Sequence, residues 1–192
     1  MGRRWIRAAM PVLLATAACS DATAPVETRP LAQLNILHLL PTAPPLVASS
    51  TTFLACKGQG AVGQLFFSDG SGGEGEEFAR LTLDGASLLA KPDGTPFAQG
   101  DCIDITMALD DPTQILVRLE PSGLRFDPAH PARLKLEYGE AEGVDSTVEA
   151  KISIWRQENP TDPFVRIGSA VIESLKEVDA DLFGFSRYAL AY

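Results

Sequence analysis

The chain has 192 residues, 45% of them hydrophobic and 21% charged, a composition that supports one packed domain with extensions. With 16 Lys+Arg against 25 Asp+Glu its formal charge is −9, so it lacks the basic face that nucleic acid or anionic lipid head groups require. Its two histidines, His38 and His130, exclude most His-based metal and triad chemistry.

Arg3, Arg4 and Arg7 form a positive n-region ahead of a short apolar run from Ala8 to Ala18. That run falls well short of the roughly 20 residues a membrane-crossing helix needs, and the pattern is that of an export signal over residues 1–18. Its end, Leu13-Leu14-Ala15-Thr16-Ala17-Ala18-Cys19-Ser20, resembles the bacterial lipoprotein signal, with Thr16 where an aliphatic residue is usual. The resemblance implies lipidation of Cys19, a membrane partner held through the N-terminal lipid, and a place in the cell envelope, at the outer membrane or cell surface if the envelope is Gram-negative. Cleavage after Ala15-Thr16-Ala17 by an ordinary signal peptidase is the alternative. Removing residues 1–18 takes away three arginines and no acid, which leaves a net charge of −12.

Residues 19–50 carry five prolines (Pro25, Pro30, Pro41, Pro44 and Pro45) among Ala, Thr and Ser. Proline at that density opposes regular structure and predicts a flexible tether, about 3 Å per residue where extended, that lifts the domain off the membrane. Within it Leu31–Leu40 is apolar enough for a short helix or an edge strand packed on the domain.

From Thr51 to the end the pattern is that of strands. They are expected near Thr52–Cys56, Val62–Phe67, Phe78–Leu83, Cys102–Leu109, Gln114–Leu119, Arg133–Tyr138, Lys151–Gln157, Phe164–Ser169, Ala170–Leu175 and Phe185–Ala191. Alternation is clearest in Leu134-Lys135-Leu136-Glu137-Tyr138 and Ile152-Ser153-Ile154-Trp155, and predicts a core holding Leu134, Leu136, Tyr138, Ile152 and Ile154. Breakers at Pro92-Asp93-Gly94, Pro121-Ser122-Gly123 and Asn159-Pro160-Thr161-Asp162-Pro163 separate the runs. The reading is an all-β, antiparallel β-sandwich over residues 51–192, with no helix-period run of competing length.

With Cys19 lipidated, Cys56 and Cys102 are the remaining pair in an oxidising compartment. A disulfide is expected over two buried free thiols, and without a neighbouring histidine they make half a zinc site at best. The loop Asp69-Gly70-Ser71-Gly72-Gly73-Glu74-Gly75-Glu76-Glu77 offers oxygen ligands, with Asp69, Glu74 and Glu76 a calcium candidate, but it lacks the spacing of an EF-hand loop and reads first as a solvated hairpin. No cofactor motif is present. Trp155 and Tyr138 read as core rather than as a sugar platform.

Two segments resemble the ZU-five domain, the β-sandwich module of ankyrins and netrin receptors. The first runs Leu119-Glu120-Pro121-Ser122-Gly123-Leu124-Arg125-Phe126-Asp127-Pro128 and then Pro131-Ala132-Arg133-Leu134-Lys135-Leu136-Glu137-Tyr138. The second is Trp155 followed by the closing Gly184-Phe185-Ser186-Arg187-Tyr188-Ala189. The likeness covers about residues 77–192, with Asp84 standing where the family has proline. Some members cut themselves within a His-Phe-Ser tripeptide: the Ser hydroxyl attacks the preceding carbonyl and the His moves the proton. Here Gly184 occupies the His place, and a serine hydroxyl without a base is a poor nucleophile. The expectation is therefore no self-cleavage between Phe185 and Ser186 and no enzyme. The module is read as an envelope-binding or structural one whose partner is a protein or envelope polymer, with carbohydrate or calcium binding as the alternative.

Overall fold

A computed structural model describes residues 26–192 of the chain. The expected signal of residues 1–18 and the lipidation position Cys19 lie outside the described residues.

The strands are β1 (Thr28–Arg29), β2 (Ser50–Cys56), β3 (Ala61–Ser68), β4 (Glu74–Leu83), β5 (Leu88–Ala90), β6 (Cys102–Leu109), β7 (Leu116–Glu120), β8 (Arg125–Phe126), β9 (Ala132–Glu137), β10 (Ser153–Gln157), β11 (Phe164–Arg166), β12 (Ser169–Ile172), β13 (Glu177–Leu182) and β14 (Arg187–Ala191). One 3-10 turn (Leu31–Gln33) and one short helix, α1 (Ser146–Glu149), complete the described elements. Every pairing between these strands is antiparallel. A seven-stranded sheet in the order β1-β11-β10-β14-β7-β6-β2 faces a five-stranded sheet in the order β12-β13-β9-β4-β3, and β5 pairs with β8 as a ribbon.

The expected all-β sandwich is what forms, and the period-2 pattern explains it. On β9 Ala132, Leu134 and Leu136 point inward while Arg133, Lys135 and Glu137 alternate with them. Leu134, Leu136, Tyr138, Ile152 and Ile154 are all buried, with Ile105, Met107 and Leu190 from the facing sheet in the same core. Cys56 and Cys102 stand opposite each other in the β2–β6 register and form a disulfide.

Four local expectations are corrected. β4 starts at Glu74 rather than Phe78, so the acidic glycine loop shrinks to Asp69–Gly73, closed by Asp69 N–H donating to the Gly73 carbonyl at 3.0 Å. The expected strand Phe164–Ser169 stops at Arg166, and Ala170–Leu175 moves to Ser169–Ile172. The strand Glu177–Leu182 was unforeseen; it alternates correctly, but its outward Glu177, Asp179 and Asp181 are types that strands disfavour. α1 is one turn, too short for any period to show, and is set by Asp145, whose carboxylate accepts from the N–H groups of Thr147 and Val148 at 2.8 and 2.9 Å.

The largest correction concerns the tether. Residues 26–49 lie along the sandwich. β1 pairs with β11, and Glu27 accepts from the Arg166 N–H at 2.9 Å. Leu37 then ties β14 to the residue before β7: its N–H donates to the Leu190 carbonyl at 2.8 Å and its own carbonyl accepts from the Ile115 N–H at 2.9 Å. Farther on, Leu46 bridges Phe67 on β3. Leu34 and Ile36 cover the outer face of the seven-stranded sheet, forming a second core with Leu116, Trp155, Phe164, Ala189 and Ala191. The prolines do block continuous strand structure, but isolated bridges satisfy the backbone and the apolar side chains between them have a sheet face to bury against.

Candidate functional site

The closing turn runs from the end of β13 to β14. Gly184 bridges Arg125, and a Cβ built on it would stand 3.0 Å from the Leu124 carbonyl oxygen. Glycine permits that close approach of two backbones. A side chain at this position needs the Leu124 segment to give way. Phe185 is buried and packs edge-to-face on Phe126 at 5.0 Å.

Ser186, only 4% exposed, directs its Oγ at Arg156, whose Nε donates to it at 2.8 Å; the same guanidinium pairs with Glu158 at 2.6 Å. Tyr188 donates its hydroxyl to the Gly184 carbonyl at 2.5 Å, and burial raises its pKa above the ordinary tyrosine value. The candidate nucleophile therefore has a cation beside it in place of a proton acceptor. A guanidinium stabilises an oxyanion but does not remove the hydroxyl proton that attack requires. Neither histidine is part of this turn: His130 Nδ1 sits 3.0 Å from Asp84, and His38 bridges Gln114.

The calcium candidate is taken up by its own loop. The Asp69 carboxylate accepts from the backbone N–H groups of Ser71 (2.8 Å) and Gly73 (2.9 Å) and from the Ser71 hydroxyl, and these bonds, the hydroxyl's foremost, lower its pKa. Gly70 and Gly72 make the turn at φ +82° and +91°. Glu74 and Glu76 follow on β4, and among the described residues no group of three or more His, Cys, Asp or Glu side chains is placed to hold a metal ion.

Two polar groupings were not foreseen. The Tyr138 hydroxyl and Lys176 Nζ both donate to Glu149 Oε1 at 2.7 Å, which joins β9, α1 and the β12–β13 turn. Those bonds, with Lys176's foremost, lower the pKa of Glu149, while burial and the Glu149 bond push that of Tyr138 up. Lys176 holds φ +55°, a left-handed conformation a lysine adopts only against a cost. Nearby Glu137 stands opposite Glu177 in the β9–β13 register. Burial first, then the charges of Glu76 and Glu177, push its pKa up to about 7, with Lys135 acting the other way. No short-range pattern announces either grouping, since their members are brought together by the register.

Comparison of the chain with protein-family models, with curated proteins and with solved structures finds no match.

Proposed function

We propose that the protein is an exported lipoprotein, anchored through Cys19, whose β-sandwich works by surface contact in the cell envelope rather than by catalysis. The observation that carries this reading is the Cys56–Cys102 disulfide. It uses the only two cysteines beyond the signal-like segment and Cys19, and such bridges persist in oxidising compartments outside the cytosol. The basic n-region and the small residues before Cys19 support the anchor. A ZU-five-like module suits the sandwich, and Arg156 beside Ser186 supports the non-enzymatic reading because it supplies no base.

Replacing Cys19→Ser tests the anchor. The wild-type protein should sediment with membranes and the variant should appear in the soluble exported fraction; equal partition of the two would refute lipidation.

A further inference from the structure

We propose that the domain sits with its β1 edge against the bilayer, and that Phe183 on the β13–β14 loop contacts the lipid interface. This rests on lipidation of Cys19. The described chain begins at Val26, seven residues after Cys19, and seven fully extended residues reach at most about 25 Å. A domain of this length is a body some 40 Å across, so only the half that surrounds Val26 can face the membrane. β1 and β2 are the opposite ends of the seven-stranded sheet, six strand spacings or about 29 Å apart.

What surrounds Val26 suits an interface. Glu27 is bonded to Arg166, and the antiparallel register carries Val26 on towards Ile167. Ile167, Leu182, Phe183, Tyr188 and Arg156 line a cavity of about 270 Å³ at this seam. Phe183, in the lining of that cavity, is 57% exposed, and Val26, which the register carries towards Ile167, is 66% exposed. Four arginines here meet three carboxylates: Arg29 and Arg166 share Glu27, Arg156 pairs with Glu158, and Arg133 lies 3.8 Å from Asp181. A chain of net charge −12 after signal removal is repelled by anionic head groups, and an edge whose ion pairs hold four arginines against three carboxylates around an exposed Phe is the face that repulsion spares. Leu54 on β2, 60% exposed, and the disulfide beside it then face away, where a soluble partner reaches them.

The test places a nitroxide at Phe183→Cys or at Leu54→Cys in the lipidated, disulfide-closed protein, reconstituted in phosphatidylcholine vesicles. Both positions are exposed, so folding is spared. At position 183 the label should collide more with oxygen, which concentrates in lipid, than with a water-soluble nickel complex; at position 54 the ratio should reverse. Protein that floats with the vesicles yet shows nickel dominance at 183 overturns this orientation alone. Protein that does not float overturns the anchor and the orientation with it.

Discussion

Glu137 is where a single side chain has the clearest consequence. Its carboxyl, ordinarily near 4.5, titrates at about 7 in the folded protein because burial and the carboxylates of Glu76 and Glu177 disfavour its charge. The folded state therefore holds the proton more tightly than the unfolded chain. Stability contributed this way is complete below about pH 4.5 and is lost as pH rises through 7. Allowing for solvent screening at a half-buried site, the loss is about 1–2 kcal/mol. Urea melts at pH 5.5 and pH 8 should show the wild type weaker at pH 8, and Glu137→Gln should flatten that difference; an unchanged difference contradicts the assignment. Tyr138→Phe, which removes one of the two donors on Glu149, should cost about 1–2 kcal/mol in the same assay.

At the scale of elements the strap of residues 26–49 decides the architecture. Trp155 shares its side of β10 with Ser153 and Gln157, and on the sandwich alone that face would be wet. The strap makes it a second core, with Arg29 stacked over the indole at 5.1 Å. Ile36→Ala should cost about 2–4 kcal/mol and shift Trp155 emission to the red, since residues 19–192 contain no other tryptophan; unchanged emission would mean that the strap does not shield the ring. The sandwich was legible because β9 and β10 alternate cleanly, and the disulfide because two cysteines remained. The strap was legible only at Leu31–Leu40, whose apolar run pointed to packing on the domain; the rest was not, because proline spacing reports on local conformation and says nothing of the sheet face that awaits it. β13 was hidden by its acids, which are acceptable only because Lys135 lies beside Glu177 at 2.7 Å and Arg133 approaches Asp181 across the register. At the candidate site, the lack of a histidine near Ser186 was visible in the sequence, but the arrival of Arg156 at Ser186, 30 residues away, was not.

For the whole molecule, under the proposed lipidation of Cys19, the strap shortens the span between anchor and domain from about thirty residues to seven and would hold the module close to the membrane instead of on a long stalk. The disulfide closes a separation of 46 residues, and the chain-entropy model puts its worth near 4 kcal/mol. Reduction should lower the urea midpoint accordingly, and an unaltered midpoint would remove that role.

The most direct test of the central claim is the intact mass of the protein extracted from its native membranes, taken before and after reduction and alkylation. The expected result is a mass of residues 19–192 plus acyl chains, two cysteines that alkylate only after reduction, and no loss of Ser186–Tyr192. An unlipidated mass, a thiol free before reduction, or a break between Phe185 and Ser186 would contradict it.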